Sequence, residues 1–422
     1  MVNKNVYKKG KHLKITNSGP LCGTCDVSTS KNAVLPILAA SLLTQEPVVI
    51  RKIPKIDDVN NMISLLKTFG AEVKFTDDTL TICTKTILTT SPNEHMVGKL
   101  RASFLFMGPL LAREGCVTMP LPGGCRIGLR PIDLHIKGFK ALGAKAITAY
   151  GHVITWRSEL VGNTIYLDYP SVGATENVLM AACLAKGITT IVGAAAEPEV
   201  TDLIRFLVSM GANISMGANR ITIVGTRELS GTDYTPIPDR IEAGTLMLAA
   251  AVTGGDVCLN RANVEHLKPV SLKLVEAGTE IFPYPEGLRI VGKGVRPLDI
   301  VSSPYPGFPT DMQAPFMAAC CAAKGISTVN ETVFENRFLH VAELKKMGAD
   351  IEVAGNIAVV TGTGRLSGAE VCATDLRAGA ALCIAGLIAQ EETIINDIYH
   401  LDRGYDDLEG KFKKLGARIE RM

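Results

Sequence analysis

The sequence is poor in the features that mark several large classes of protein. It has one tryptophan and 5% aromatic residues in 422, and its 44 basic and 42 acidic residues leave a net charge of +2, which gives no indication of a nucleic-acid partner. Its longest apolar runs, about a dozen residues, are shorter than the ~20 that a membrane helix needs. No charged and then apolar leader precedes them, so we expect a cytoplasmic protein without a membrane partner.

Metal-ligand patterns are scarce as well, although the chain has eleven cysteines. Several lie in apolar stretches, where they are typical of small hydrophobic residues kept reduced. Cys22 and Cys25 have the C-x-x-C spacing, but no second pair for zinc and no strand-to-helix pattern for redox chemistry accompanies them. We expect a plain loop there, with metal or redox use as the alternative, and we expect no metal or cofactor.

What the sequence does contain is a repeat. In each copy a polar head opens an Ala-rich apolar helix, and an amphipathic helix then ends at a Gly-Ala or Gly-Thr turn before a strand. These turns recur every 67 to 73 residues, at Gly70, Gly143, Gly211, Gly278, Gly348 and Gly416. Self-similarity of this length indicates one supersecondary unit copied six times. Together with the chain length, six units favour two domains of three units each.

The apolar helices show no polar face, so each is expected to be buried on all sides. They are predicted at 33–41, 102–112, 178–185, 244–252, 314–323 and 378–389. Short β-type segments, such as 48–50 and 220–224, separate the helices. The sequence therefore predicts a mixed α/β fold in which sheets surround a helical interior.

Each apolar helix begins with a polar cluster, and four of the clusters carry a cation. These cations are Lys31, Arg101, Arg240 and Arg377. Helix N-termini attract anions through free N–H groups and the macrodipole. Parallel buried helices would bring three such ends together in each domain, and two facing ends would form a cleft for phosphates and carboxylates. The alternative is that these cations are ordinary solvated surface residues.

A loop rich in proline and glycine at 119–131 carries one thiol, Cys125, beside the guanidinium groups of Arg126 and Arg130. Nearby positive charge favours the thiolate in an empty site. An anionic substrate would neutralise the arginines and let the thiol hold its proton, which suits a general acid or an activated nucleophile. A surface loop with an incidental cysteine is the alternative.

Taken together, these motifs resemble the enolpyruvyl transferases. The resemblance rests on Lys-Asn at 31–32, PGGC at 122–125, SVGAT at 171–175, FPTDMQ at 308–313 and ATDLR at 373–377, with further matches at 101–103, 128–131, 238–242, 331–337 and 402–405. It implies an inside-out α/β barrel with two domains, each of three repeated β/α units around buried parallel helices. One domain would span 31–237, and the other would combine 1–30 with 238–422.

The resemblance also implies a reaction. The enolpyruvyl group of phosphoenolpyruvate would move to the 3′-hydroxyl of UDP-N-acetylglucosamine by addition and elimination, with release of phosphate, as the first committed step of peptidoglycan precursor synthesis. Such chemistry needs an acid, a base and fixed positive charge. Two alternatives stay open: a family member that uses shikimate 3-phosphate, and a catalytically weakened relative that only binds the nucleotide-sugar or a regulatory partner. An oligomer is not implied.

Roles for individual residues follow from the same resemblance. The implied catalytic residues are Cys125, Asp311, Lys31 and Arg403. Cys125 would protonate C3 of the enol or assist product release, and it would be the residue that the epoxide fosfomycin attacks. Asp311 would take or orient the hydroxyl proton. The residues implied to hold the anionic groups of phosphoenolpyruvate are Lys31, Arg101, Arg130, Arg377 and Arg403, with Asp375 ordering some of these cations.

A second implied set surrounds the UDP-sugar. It comprises Asn32 at the sugar, Arg130, Pro131, Ile132, Asp133, Leu134 and His135 at the uridine, Ser171, Val172 and Gly173 at the diphosphate, and Val333 reaching the nucleotide-sugar from the other domain. The sequence departs from the family pattern at two places. Thr29 and Ser30 stand where Gly-Ala is usual, and Tyr169 stands where a lysine is common. The loss of that lysine leaves the affinity for the diphosphate in question.

Overall fold

The computed structural model describes residues 10–121, 131–217 and 219–422, and these divide into two compact units. One unit combines the N-terminal segment up to Ser28 with the chain from Pro238 onward, and we call it the composite unit. The other, here the middle unit, begins at Thr29 and ends at Ile237. The middle unit thus begins two residues before the predicted start at 31, and it includes Thr29 and Ser30. The Ser30 N–H donates to the Ile237 carbonyl oxygen (2.8 Å) within the middle unit.

Strands are short throughout the described chain. In chain order they are β1 His12–Thr16, β2 Cys22–Asp26, β3 Val48–Ile50, β4 Glu72–Thr76, β5 Thr79–Cys83, β6 Cys116–Pro120, β7 Lys145–Ala149, β8 His152–Trp156, β9 Thr164–Tyr166, β10 Ile188–Val192, β11 Asn213–Gly217, β12 Arg220–Val224, β13 Asp233–Tyr234, β14 Asp256–Asn260, β15 Glu280–Tyr284, β16 Gly287–Val291, β17 Asp299–Val301, β18 Lys324–Asn330, β19 Asp350–Ala354, β20 Ile357–Thr363, β21 Glu370–Cys372, β22 Thr393–Asn396 and β23 Arg418–Arg421.

Helices alternate with these strands. In chain order they are α1 Lys31–Ala40, α2 Asp57–Thr68, α3 Glu94–Gly98, α4 Met107–Glu114, α5 Asp133–Ala141, α6 Val172–Ala182, α7 Pro198–Ser209, α8 Arg240–Thr253, α9 Val264–Glu276, α10 Gln313–Ala322, α11 Val341–Lys346, α12 Leu376–Ile388, α13 Tyr399–Asp402 and α14 Leu408–Lys414. Three short 3₁₀ helices among the described residues are Ser41–Leu43, Arg101–Phe106 and Thr310–Met312. The predicted α/β class is confirmed.

Each unit holds three sheets within the described residues. In the composite unit the strand orders are β21-β22-β1-β23, β15-β16-β14-β2 and β17-β18-β20-β19; in the middle unit they are β13-β3-β5-β4, β11-β12-β10-β9 and β6-β8-β7. Every sheet contains antiparallel strand pairs, and five of the six sheets also contain one parallel pair within the same unit. Strand β1 lies between β22 and β23, with Leu13 opposite both Ile395 and Arg421, so the N-terminal segment completes the composite unit.

The loop expected at Cys22 and Cys25 is wrong, because this segment is strand β2. It pairs in parallel with β14, with Cys22 opposite Asp256 and Cys25 opposite Leu259. The side chain of Cys25 is buried, whereas that of Cys22 is exposed, and both thiols are free. Main-chain hydrogen bonds to a strand that is distant in sequence stabilise this segment. Its own residues have little intrinsic preference for strands, so the local sequence does not predict it.

The six glycine turns are confirmed, and they share one geometry. All six glycines have positive φ, between 82° and 101°. In each case the glycine N–H and the following N–H bond back into the last helical turn, as Gly70 does to Lys67 and Ala71 to Leu66. This is a Schellman motif, which favours glycine because the left-handed conformation costs other residues free energy.

Apolar helices form the interior of each unit, as predicted, but they begin earlier than the apolar pattern indicates. Helix α6 begins at Val172 rather than at 178, and its first turns bury Thr175, Glu176 and Asn177. Apolar periodicity cannot reveal polar residues that are buried, so the predicted helices were too short at their N-terminal ends. The stretch predicted as one helix at 102–112 is the 3₁₀ helix Arg101–Phe106 followed by α4.

Each unit has its own hydrophobic cluster. Within the residues that the structure describes, no helix is both long and apolar enough to cross a membrane.

Candidate active site

In the composite unit, the N-terminal ends of three buried helices come together. Helices α8, α10 and α12 pack on one another. Asp239 caps α8 by accepting the N–H groups of Ile241 and Glu242, and its charge acts on Arg377 at the start of α12. Arg377 in turn contacts Asp311, which lies in the 3₁₀ helix that leads into α10. The prediction that three helix heads meet is therefore confirmed for this unit.

Asp311 is bound on both sides by guanidinium groups. Its Oδ1 accepts from Nη2 of Arg337 (2.6 Å), and its Oδ2 accepts from Nη2 and Nε of Arg377 (2.8 and 3.2 Å). The arginine side chains are only 5% and 4% exposed, whereas a quarter (25%) of the Asp311 side chain remains accessible. Burial alone would raise the pKa of Asp311, but the charges and hydrogen bonds of Arg377 and Arg337 outweigh it and hold the pKa well below its usual value.

Arg337 is a functional candidate that the sequence prediction did not assign. Its Nη1 donates to Oγ1 of Thr310 (2.9 Å), which itself donates to Oε2 of Glu331 (2.8 Å). The other Glu331 oxygen accepts the Val333 N–H (2.9 Å), so the same network fixes the segment expected to reach the nucleotide-sugar. The signal was present in the sequence, because Glu331 and Arg337 open and close one of the segments that carry the family resemblance.

The other predicted residues of this unit lie near the start of α12 or beyond its end. Asp375 accepts the N–H groups of Arg377 (2.7 Å) and Ala378 (3.1 Å), so it orders Arg377 by capping the helix that carries it. The Arg377 guanidinium lies over the Tyr405 ring, 5.4 Å from its centroid. Arg403 follows α13 directly and is half-buried.

In the middle unit, Lys31 is the first residue of α1. Its Nζ lies 2.6 Å from Oδ2 of Asp58, and the two side chains are 11% and 0% exposed. The alternative that the head cations are solvated surface residues is therefore wrong for Lys31, and equally for Arg377 in the composite unit. Asn32 is half-buried, and half-buried Arg101 begins the 3₁₀ helix before α4.

Residues 131–135 lead into and begin helix α5. Pro131 and Asp133 are exposed, Ile132 and Leu134 are half-buried, and His135 is buried. The expected uridine residues thus differ in exposure: segment 131–134 is at least partly accessible, whereas the histidine that follows it is buried. Burial, followed by the charge of Arg101, lowers the pKa of His135 to about 3, so its imidazole is neutral.

Residues 171–173 form the start of helix α6. Oγ of Ser171 accepts the Ala174 N–H (3.4 Å) and caps the helix, while Val172 and Gly173 are half-buried in its first turn. Such a helix start presents N–H groups that suit a phosphate. Tyr169, at the position where the family commonly has lysine, is 42% exposed, and its carbonyl oxygen accepts the Ser171 N–H (2.7 Å).

Deeper in α6 lies a carboxyl of a different kind. Glu176 is buried, and its Oε1 has no hydrogen-bond partner among the described residues. Burial, and then the charges of Glu199 and Glu197, raise the pKa of Glu176 well above its usual value. The side chains of Thr29 and Ser30, the other departure from the family pattern, are also buried.

Two predicted site residues, Cys125 and Arg130, lie outside the described residues. Within the described ranges, no group of three or more histidine, cysteine, aspartate or glutamate side chains could hold a metal ion. In the composite unit the candidate residues thus include the cluster around Asp311, and in the middle unit they lie at the starts of α1, α5, α6 and the 3₁₀ helix Arg101–Phe106.

Known proteins match this chain over almost its whole length. Residues 15–412 match the family model described as EPSP synthase (3-phosphoshikimate 1-carboxyvinyltransferase). The chain is 53% identical over 409 residues to UDP-N-acetylglucosamine 1-carboxyvinyltransferase 1 of Caldanaerobacter subterraneus, covering 96% of this chain and 98% of that protein. It is 50% identical over 407 residues to UDP-N-acetylglucosamine 1-carboxyvinyltransferase 2 of Carboxydothermus hydrogenoformans, covering 95% and 97%.

A solved structure agrees with these relatives. The crystal structure of the enolpyruvyl transferase NikO from Streptomyces tendae has a TM-score of 0.87 to this structure at 26% identity, covering 98% of this chain and 99% of NikO. The chain therefore belongs to the EPSP synthase family of enolpyruvyl transferases, within the group of the UDP-N-acetylglucosamine 1-carboxyvinyltransferases.

Proposed function

We propose that this protein transfers the enolpyruvyl group of phosphoenolpyruvate to the 3′-hydroxyl of UDP-N-acetylglucosamine and releases phosphate, at the first committed step of peptidoglycan precursor synthesis. The relatives named for this reaction support the choice of substrates. The observation that carries the proposal is the Asp311 cluster, in which a partly accessible carboxylate lies between two buried guanidinium groups at converging helix heads.

The proposed roles follow from the charges of the side chains. Lys31, Arg101, Arg130, Arg377 and Arg403 hold the phosphate and carboxylate of phosphoenolpyruvate, and Cys125 supplies the proton to C3. Asn32, residues 131–134, residues 171–173 and Val333 hold the UDP-sugar. Fixed cations of this kind stabilise the charge that develops as phosphate leaves.

Asp311 is proposed to accept the proton of the attacking hydroxyl. Its two guanidinium partners keep its pKa low, so it is a weak base. A general base works best when its pKa is near the working pH. When an anionic substrate binds Arg377, it neutralises part of the positive charge that acts on Asp311. The pKa of Asp311 then rises towards that range. Binding of phosphoenolpyruvate thereby prepares the base for the hydroxyl.

At the level of the fold, we propose that the two units are the two domains of an inside-out α/β barrel, with three repeats each around parallel buried helices. The units in the described chain support boundaries near 30 and 237. The proposed location is the cytoplasm, where both phosphoenolpyruvate and nucleotide-sugars are supplied.

The test is turnover of the purified protein with phosphoenolpyruvate and either UDP-N-acetylglucosamine or shikimate 3-phosphate. Phosphate release and a product heavier by the enolpyruvyl group are expected with the UDP-sugar alone. Turnover with shikimate 3-phosphate alone would assign the protein to the other branch of the family. Binding of the UDP-sugar without any phosphate release would indicate a protein that only binds.

The Cys125 thiol is tested by two substitutions. Cys125→Ser keeps the size but raises the proton affinity, so turnover should fall severely while UDP-sugar binding stays near that of the unsubstituted protein. Cys125→Asp can still deliver a proton, and it should remain active and resist fosfomycin. Full turnover in Cys125→Ser would remove this thiol from the proton transfer.

A further inference from the structure

One buried histidine in the middle unit joins α5 to α6, the two helices that carry the proposed uridine and diphosphate residues. His135 belongs to α5, directly after the accessible segment 131–134, and keeps 6% of its surface exposed. Its ring stands edge-on to Phe104 in the 3₁₀ helix that Arg101 begins, with centroids 5.1 Å apart and an interplanar angle of 89°. Its Nδ1 lies 2.9 Å from the side-chain nitrogen of Asn177 in α6.

The bonds of Asn177 determine the state of this histidine. Oδ1 of Asn177 accepts the Gly108 N–H (2.7 Å), and Nδ2 donates one hydrogen to the Phe104 carbonyl oxygen (2.9 Å). The second Nδ2 hydrogen therefore points to Nδ1 of His135, which must accept it and so carries no proton. The imidazole is neutral with its proton on Nε2, in agreement with its lowered pKa.

The helices around His135 and Asn177 pack closely, with glycines at the points of contact. A Cβ at Gly138 in α5 would lie 2.1 Å from Cγ2 of Val178, and a Cβ at Gly108 in α4 would lie 2.4 Å from the Asn177 carbonyl oxygen. A Cβ at Gly173, in the first turn of α6, would lie 3.3 Å from Cε1 and 3.5 Å from Nε2 of His135. The ring of His135 thus packs directly against the 171–173 turn, while its main chain continues the accessible segment 131–134.

We infer that His135 is a positioning residue for the nucleotide part of the substrate. Its ring and its bond to Asn177 set the spacing between segment 131–134 and the 171–173 turn, so they set the affinity for a uridine diphosphate group without contacting it. This inference rests on the proposed function, and it replaces the expectation that His135 itself borders the uridine. Errors of about 1 Å in such spacing weaken binding because both sides must contact the same ligand at once.

Two substitutions test the hydrogen bond between His135 and Asn177 separately from the packing of the His135 ring. His135→Phe keeps an aromatic ring against Phe104 and Gly173 but leaves one Asn177 N–H without an acceptor. His135→Asn places an oxygen near the position of Nδ1 and restores that acceptor. We expect His135→Phe to raise the KM for UDP-N-acetylglucosamine about tenfold, with kcat and the KM for phosphoenolpyruvate within about twofold. His135→Asn should bring the KM back to within about threefold.

A double-mutant cycle tests the ring and does not depend on the Phe variant being folded. Gly173→Ala adds a methyl group at 3.3 Å from the ring, so it should raise the same KM. In the double variant His135→Asn/Gly173→Ala the ring is gone, and the effect of the alanine should largely disappear. Non-additivity of this kind is what residues in contact show. Additive effects would contradict the inference.

Two controls keep the outcomes distinct. Phe206→Leu, a change in the buried core of the same unit, lowers stability and should leave both KM values as they are. Titration of UDP alone by calorimetry reports nucleotide affinity without turnover, and it should follow the KM changes. An unchanged KM in His135→Phe, or an equal rise in both KM values, would overturn the positioning role. If the unsubstituted protein does not use the UDP-sugar at all, the proposed function fails instead.

Discussion

Each unit has a carboxyl group near the N-terminal end of a buried helix, and the pKa values of these two groups are shifted in opposite directions. In the composite unit Asp311 lies between Arg337 and Arg377, and its pKa is well below the usual value. In the middle unit Glu176 lies near Glu199 and Glu197, and its pKa is well above the usual value. Burial acts in the same direction on both carboxyl groups. The neighbouring charges decide the difference.

This comparison shows where each unit can do chemistry. A carboxylate kept anionic by buried cations can respond when a substrate anion competes for those cations, so its basicity depends on the ligand. A carboxyl that burial and neighbouring acids keep protonated carries no charge to exchange. We therefore expect removal of the hydroxyl proton to depend on the composite unit, while the described helix heads of the middle unit mainly provide cations and N–H groups for binding.

The largest expected effect comes from removing the carboxylate of the composite unit. Asp311→Asn should lower kcat by about 10²- to 10⁴-fold, the range for loss of a general base. It also leaves two buried guanidinium groups without their counter-ion, which costs on the order of 3–5 kcal/mol of unfolding free energy. Steady-state kinetics and denaturant unfolding measure the two effects. Asp350→Asn, an exposed carboxylate of the same unit, is the matched control and should change neither.

The buried pair at the head of α1 allows stability and activity to be separated. Lys31→Met leaves the fully buried Asp58 without its ammonium partner and should lower the unfolding free energy by about 3 kcal/mol. Adding Asp58→Leu removes the uncompensated charge and should restore most of that stability. Turnover should stay low in both, because Lys31 is proposed to hold phosphoenolpyruvate. Recovery of turnover together with stability would restrict Lys31 to a structural role.

The middle-unit carboxyl gives a pH-dependent prediction of opposite sign. Because folding raises the pKa of Glu176, the folded state holds its proton more tightly than the unfolded chain, and stability falls as pH rises above the ordinary carboxyl range. Glu176→Gln removes this loss. At pH 8 the unfolding free energy of the variant should exceed that of the unsubstituted protein by about 2 kcal/mol, and at pH 5 the two values should be nearly equal.

The control for this prediction is Glu72→Gln, since Glu72 is an exposed residue of β4 in the same unit. Its stability should follow that of the unsubstituted protein at both pH values. A Glu176→Gln variant whose advantage is the same at pH 5 and pH 8 would show that Glu176 is not protonated by folding.

The smallest expected effect comes from adding a cation at a helix head of the middle unit, where the composite unit already has Arg377. Tyr169→Lys adds a cation beside the head of α6, at a site that is 42% exposed in the present side chain. An exposed charge contributes little, so the KM for UDP-N-acetylglucosamine should fall by about two- to fivefold. The gain should shrink as salt is added. Tyr166→Lys, also exposed but in strand β9, is the comparison and should not change this KM.

The sequence predicted the repeat and the α/β class correctly, and it predicted strands such as β3 and β12 with their observed bounds. It missed strand β2, because main-chain pairing with β14 rather than local preference makes Cys22–Asp26 a strand. It also began the buried helices too late, as at α6, because Thr175, Glu176 and Asn177 are polar and yet buried. The roles assigned to Cys125 and to the other site residues stay predictions.

The sequence by itself determined the local features: six turns that need a glycine at positive φ, and apolar helices that water would exclude wherever they formed. These depend on residues within a few positions of one another, so they can be read along the chain. The tertiary structure alone decided which charges meet. Asp311 finds its partners 26 and 66 residues away, whereas the charges that act on Glu176 within the described chain are those of Glu199 and Glu197. Helix packing determines those distances, and the distances determine which carboxyl keeps its charge.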